Sequence, residues 1–193
     1  MDKDFALSAY YYWNVFVDFP TAQYRWRKEI YFLKDYLFPE MRILDIGEYN
    51  PLTFKICNEF KIDHIDNTYG DLDENFEIPR EDYDFVINSH VIEHVFNPLH
   101  QLMRIRQVMK PDAVLFISTP IHPYFLGTSP GHFHEMDRYR FEKLIARAGF
   151  EIKVWDAFYP YDHWSWRSFT GLRPFVRSFY KTQALVICKK IIK

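Results

Sequence analysis

Glycine is scarce in this chain, six among 193 residues. The dinucleotide fingerprint, which needs glycines in the order GxGxxG after a first strand, is absent, and this argues against a nicotinamide-dependent Rossmann enzyme. Cysteine is scarcer still. Cys57 and Cys188 are the only two; they lie far apart, each in an apolar context, which excludes a disulfide framework and reads as two buried free thiols in a reducing compartment. No stretch approaches the roughly 18 apolar residues of a membrane span, and Met1-Asp2-Lys3-Asp4 lacks the form of a signal peptide. A soluble cytoplasmic protein is expected. At 193 residues it has the length of one domain with a full core. Strong net charge is also missing, the formal total being -2. The balance is nevertheless uneven: from Ala157 onward seven Lys or Arg face one acid, Asp162. Such a basic end suits an anionic group or a solvated surface. Aromatic residues are abundant, 20% of the chain, and they concentrate in Tyr10–Phe19 and Trp155–Tyr180.

The stretch that organises the chain is Tyr83–Pro120. Asp84-Phe85-Val86-Ile87 is a short apolar run that stops at Asn88-Ser89-His90, as a buried parallel strand does at its carboxyl end. Asn97-Pro98 reads as an N-cap followed by proline in the first turn. Leu99, Leu102, Met103, Ile105, Val108 and Met109 then keep an apolar face at helical spacing. Pro111-Asp112 is expected to make a turn, and Ala113–Ser118 a second strand. The result is a right-handed βαβ unit that needs neighbours on both faces.

Around it, Trp26, Ile30, Leu33 and Leu37 predict a helix after Pro20, which could lie over a pocket. Arg42–Gly47 predicts a first strand ending in Asp-x-Gly, with Asn50-Pro51 capping the next helix. Backbone N–H groups and a positive helix end thereby face the carboxyl edge, a nucleotide-type cradle. Lys61–Asp66 predicts a short second strand, with Asp66, Asp71 and Asp73 following as candidate cofactor contacts and little room for a crossover helix. Ile121–Met136 is the expected lid or substrate wall, since ligands of open α/β sheets bind at that edge. Phe141, Leu144, Ile145 and Ala148 mark a helix closed by Gly149. Phe150–Trp155 and Ala184–Cys188 are the last strands.

The run YDFVINSHVIEHVFNPLHQLMRIRQVMKPDAVLFISTP closely resembles the region after the fourth strand of class I S-adenosylmethionine-dependent methyltransferases of the small-molecule, type 11 kind. Arg42–Gly47 is similar to their first cofactor motif and Ala148-Gly149-Phe150 to the end of their last helix. The resemblance implies a Rossmann-like α/β fold: a mostly parallel seven-stranded sheet with a shortened second crossover, an antiparallel last strand and helices on both faces. It implies one domain, with residues 1–40 as an aromatic and helical lid, 41–156 as cofactor-binding core, 157–183 as an aromatic, basic insertion and 184–193 as last strand. It also implies S-adenosylmethionine as cofactor. Asp45 and Gly47 would line its methionine part, Asp66 the ribose, Asp71 and Leu72 the adenine, and Asn88 and Ser89 the edge near the sulfonium. Glu48-Tyr49 departs from the family, whose second glycine it replaces.

Methyl transfer from a sulfonium is an in-line displacement, so positioning dominates. A hydroxyl or amine acceptor also has to lose a proton, and His122, His132 and His134 on the substrate loop are the candidate bases. Glu93-His94 reads as structural, with a contact near the cofactor or a divalent metal as the alternative. His132-x-His134-Glu135 offers further metal ligands without any cysteine partner, and no metal is assigned. The expected acceptor is a small metabolite, sugar-containing or anionic, methylated at O or N, with Arg167, Arg173 and Arg177 available to hold an acid group. Neither nucleic acid nor membrane is an expected partner: the Asn- or Asp-Pro-Pro-aromatic motif of enzymes that hold a flipped base is absent. The alternative is a non-catalytic protein that keeps the fold and has lost or weakened its cofactor.

Overall fold

The computed structural model describes residues 20–121, 131–159 and 182–192. His122, the aromatic stretch Tyr10–Phe19 and the arginines at 167, 173 and 177 lie outside the described residues. In chain order the elements are α1 (Pro20–Leu33), β1 (Ile43–Asp45), α2 (Pro51–Phe60), β2 (Asp66–Asn67), β3 (Tyr83–Ser89), α3 (Pro98–Val108), β4 (Met109–Ile121), α4 (Arg138–Arg147), β5 (Phe150–Phe158) and β6 (Thr182–Lys190).

The strands form one sheet in the order β2-β1-β3-β4-β6-β5. β1 is parallel to β2 and β3, β3 is parallel to β4, and β6 runs antiparallel to both β4 and β5. The expected seven strands are thus corrected to six among the described residues. The shortfall lies at the β2 edge, where the chain makes only an isolated bridge between Tyr69 and Glu77. The acid-rich segment 70–81 lacks the apolar alternation of a strand, and Pro79 removes a ladder donor. The second strand is also shorter and later than expected, because Lys61 takes a left-handed conformation that ends α2 (φ 58).

Alternation along the central strands explains the helices on both faces. Leu44, Val86, Leu115, Ile117 and Val186 pack to one side with Leu102 and Ile105 of α3 and Phe141 and Ile145 of α4. Ile43, Phe85, Ile87, Phe116, Leu185 and Ile187 pack to the other with Leu33 of α1 and Leu52 and Ile56 of α2. Such strands read as continuous apolar runs because neither face meets water. Truncating a central side chain such as Phe116 to alanine costs about 3–5 kcal/mol.

The local signals act where they occur in the sequence. Asn50 accepts from the N–H groups of Leu52 and Thr53 and caps α2; Asn97 accepts from His100 and caps α3; Gly149, at φ 84, leads the chain out of α4. The expected turn at Pro111-Asp112 is corrected: β4 starts at Met109, paired with Tyr83, and a register shift absorbs the residues around Pro111. A bulge tolerates a residue with no N–H to donate, so the proline needs no turn.

Candidate active site

Pairing in parallel register brings the carboxyl ends of β1, β3 and β4 to one edge, where the pleat sends alternate polar residues to opposite faces. Asp45, last residue of β1, points to the α1/α2 side and is 2% exposed. It accepts from the Thr53 hydroxyl at 2.6 Å and the Asn50 amide at 3.3 Å. Burial pushes its carboxyl up to about 7, with the nearby Glu29 charge adding to the shift and the two hydrogen bonds opposing it. No cation pairs with it among the described residues. Gly47 adopts φ 105, its N–H donates to Thr68 Oγ1 at 2.8 Å, and its carbonyl accepts from the Asn67 amide at 3.1 Å. These two bonds tie the loop after β1 to Asn67 and Thr68. A side chain at Gly47 would be strained by the positive φ.

The remaining residues expected on the cofactor side are spread more widely. Asp66 accepts from Tyr83 OH at 3.1 Å and pairs with Arg80 at 3.3 Å and His64 at 2.9 Å. Asp71 accepts from the Asp73 N–H, while Leu72 packs on the core. Asp73 anchors the loop to α3 by accepting from the N–H groups of Phe96 and Asn97 at 2.6 and 2.9 Å. Asn88 turns to the α3 side and donates to Gln101 at 3.1 Å, leaving Asn88 Oδ1 and Gln101 Nε2 buried without partners. Ser89, on the opposite face, donates to Glu29 at 2.9 Å.

Glu29 was invisible as a site residue in the sequence because it sits among charged neighbours, Arg25, Arg27 and Lys28. Its signal was position: Ala22, Trp26, Ile30 and Leu33 define the inward stripe of α1, and Glu29 falls on it. It is fully buried, accepts from Ser89 and from Ser118 at 2.7 Å, and lies 3.4 Å from His90 Nε2. His90 Nδ1 meets Glu93 at 3.1 Å, and Glu93 also accepts from Thr119 at 3.1 Å. Burial opposes charge on all three groups, but their mutual hydrogen bonds outweigh it: both carboxylates are held below their usual range and the imidazole above its own. The group thus forms a carboxylate–imidazole–carboxylate chain across the strand ends.

The substrate-loop histidines separate. His132 makes a short hydrogen bond from Nδ1 to Glu135 and meets His94 edge to face, ring centres 4.5 Å apart. Burial lowers its pKa, against the pull of Glu93 and Glu135. His134 instead bonds the carbonyl of Phe96 at 3.1 Å. His94 Nδ1 is bound to the carbonyl of Gly131 at 2.9 Å. Beside them the exposed rings of Phe96 and Phe133 lie 4.2 Å apart. Two surface clefts of about 680 and 640 Å³ lie elsewhere, one around Tyr69, Phe76 and Arg104, the other around Tyr36, Asp84 and Lys189. Neither includes Asp45 or these histidines, and the buried polar chemistry outweighs cleft size in locating the site.

The profile of a family described as "Methyltransferase domain" matches residues 20–173. A Mycolicibacterium smegmatis protein described as "Probable S-adenosylmethionine-dependent methyltransferase" is 29% identical over 94 residues, covering 46% of this chain and 36% of that protein. The chain thus spans only about a third of that relative's length. Among solved structures, phosphoethanolamine N-methyltransferase 2 of Haemonchus contortus, in complex with phosphomonomethylethanolamine and S-adenosylhomocysteine, is similar with a TM-score of 0.65 at 14% identity, over 86% of this chain and 52% of that one. The 4+2 cyclase SpnF is similar with a TM-score of 0.62 at 14% identity, over 94% and 87%. At such identities the likeness carries the fold alone, the Rossmann-like methyltransferase fold. No helix among the described residues is long and apolar enough to cross a membrane.

Proposed function

The chain belongs to the methyltransferase-domain family, and from that premise we propose that it transfers the methyl group of S-adenosylmethionine to an oxygen or nitrogen of a small acceptor. The observation that carries this reading is Asp45: a fully buried acid at the carboxyl end of β1 with two neutral donors and, among the described residues, no cation. A buried carboxylate left without a counter-charge is costly, and an incoming ammonium relieves the cost. The residues present therefore fit the amino-acid end of the cofactor, with Gly47 beside Asp45 and Asn88 and Ser89 at the strand edge next to them. Asp66, Asp71 and Leu72 stand as the proposed adenosine side, Asp66 sharing its carboxylate with Tyr83 and Arg80. When bound, the cofactor supplies a sulfonium-linked methyl group open to in-line displacement.

The chain's own residues position the acceptor and exclude water. Of the described histidines, His132 has the geometry for receiving the acceptor's proton: Glu135 orients its ring, and Nε2 carries no hydrogen bond among the described residues. His134, tied to Phe96, serves to hold the loop, and His122 remains a candidate on sequence grounds. The exposed pair Phe96 and Phe133 supports a planar or sugar ring as the acceptor's face. An anionic group on the acceptor rests on the sequence of the basic C-terminal segment.

Calorimetry with S-adenosylhomocysteine tests this reading. The wild type is expected to bind one equivalent, and Asp45→Ala to bind about 10–100-fold more weakly, the loss of one charge-assisted contact. Absence of binding to the folded wild type sinks the proposal. A second reading, a binding protein without turnover, is favoured by one observation: the N–H and carbonyl of Gly47 are already taken by Thr68 and Asn67. Tight cofactor binding with no methyl transfer to any of a panel of hydroxyl and amine acceptors supports that alternative.

A further inference from the structure

We propose that Glu93, His94 and His132 form a binding site for one divalent transition-metal ion. One ligand atom from each residue lies within 4.8 Å of the others. Glu93 and His94 follow β3, while His132 follows β4, so only the parallel pairing of those strands brings them together. The histidines are held as metal ligands usually are. Nδ1 of His94 is bound to the Gly131 carbonyl, which fixes its proton on that nitrogen, and Nδ1 of His132 is bound to Glu135. In each ring Nε2 is left with its lone pair.

The segment carrying His132 is also clamped to the residues it must approach. The N–H groups of Phe133 and His134 both donate to the Glu93 carbonyl, at 2.7 and 3.2 Å. The Glu93 carboxylate is oriented by His90 on one oxygen and Thr119 on the other. Each oxygen of an ionised carboxylate has two acceptor directions, so a cation can still be bound.

Two imidazoles and one carboxylate, with no thiolate, suit zinc and its first-row neighbours better than magnesium or calcium, which favour all-oxygen sets. Three protein ligands leave a fourth position open. The role of that position rests on the methyltransferase reading, although the site does not: an acceptor hydroxyl bound there gives up its proton to solvent more readily. With the ion present, His132 serves as ligand and the proton leaves from the cation-bound oxygen.

The test is titration of chelator-treated full chain with zinc chloride, read by calorimetry and by elemental analysis after desalting. One zinc per chain with micromolar or tighter affinity is expected, with no comparable response to magnesium. His94→Ala and His132→Ala are each expected to lower affinity at least 100-fold. Glu135→Gln, which keeps the shape but weakens the hold on His132, is expected to lower it about 10–100-fold. His94 is exposed, so its substitution leaves the fold intact and keeps the test valid if His132→Ala misfolds. No stoichiometric zinc, or zinc retained equally by His94→Ala and Glu135→Gln, overturns the site. Binding of S-adenosylhomocysteine, measured on the same samples, separates the two readings: cofactor bound without zinc removes the metal site alone, and zinc bound without cofactor removes the methyltransferase reading alone.

Discussion

The Glu29 carboxylate on α1, fully buried, lies 3.4 Å from Nε2 of the partly buried His90 beyond β3, within a chain of polar contacts that continues to Glu93. This link fastens the first helix to the ligand edge of the sheet. Removing one member strands the others. Glu29→Ala is expected to destabilise the protein by about 3–5 kcal/mol, because His90 then loses one of its two carboxylate partners and the hydroxyls of Ser89 and Ser118 lose the carboxylate they donate to. Glu29→Gln, which retains an acceptor oxygen, should cost less. Urea denaturation midpoints at constant m-value check both.

Asp45 makes stability depend on pH. Its carboxyl is raised from 3.8 to about 7 in the folded chain, first by burial, so the folded state holds a proton that the unfolded state releases. Stability is then highest below the unfolded pKa and falls as pH rises to about 7. The contribution is at most about 4 kcal/mol. Asp45→Asn is expected to abolish this slope, so that its stability relative to wild type improves between pH 4 and pH 8. Parallel denaturation series of the two proteins give the difference.

Asn88 and Gln101 share one hydrogen bond and leave one buried donor and one buried acceptor unpaired. Exchanging O and N on both amides only moves the orphans. Gln101→Leu alone is expected to cost about 1–3 kcal/mol by leaving Asn88 unpaired. Adding Asn88→Leu should recover most of that, a coupling that a double-mutant cycle measures.

Gly149 follows α4 at φ 84, and a Cβ there would come within 2.8 Å of Arg106 Nε. That guanidinium bonds the carbonyls of Gly149 and Ile191. Gly149→Ala therefore combines left-handed strain with displacement of Arg106, and about 1–3 kcal/mol of destabilisation is expected. Thermal unfolding should show the midpoint lowered by several degrees.

Much of the frame was legible because its causes are local. Apolar runs at β3, β4 and β6, the asparagine–proline starts of α2 and α3, and the glycine after α4 act within a few residues of where they occur. Pro111 misled for the complementary reason: a proline read locally is a turn, whereas the bulge opposite Tyr83 and Phe85 that admits it into β4 belongs to a pairing across 26 residues. The strand count failed where the segment after β2 spends its acids on loop contacts, as Asp73 does on Phe96 and Asn97.

The site divides in the same way. Asp45 and Gly47 could be picked out from the end of one strand, because a polar residue closing an apolar run marks where the sheet opens. Burial, with no cation paired to it among the described residues, made Asp45 chemically distinctive, and that depends on α1 and α2 closing over it. Alternation by itself set Asn88 and Ser89 on opposite faces of β3 and Ser118 and Thr119 on opposite faces of β4, and the register of the two strands put Ser89 with Ser118. Tertiary packing decided what they meet: Glu29 on one side, Gln101 and Glu93 on the other. It also parted His132 from His134, neighbours in sequence, setting one against Glu135 and His94 and the other against Phe96. Side-chain direction is a property of the backbone of one strand, but a buried polar group acquires its partner only when distant elements pack.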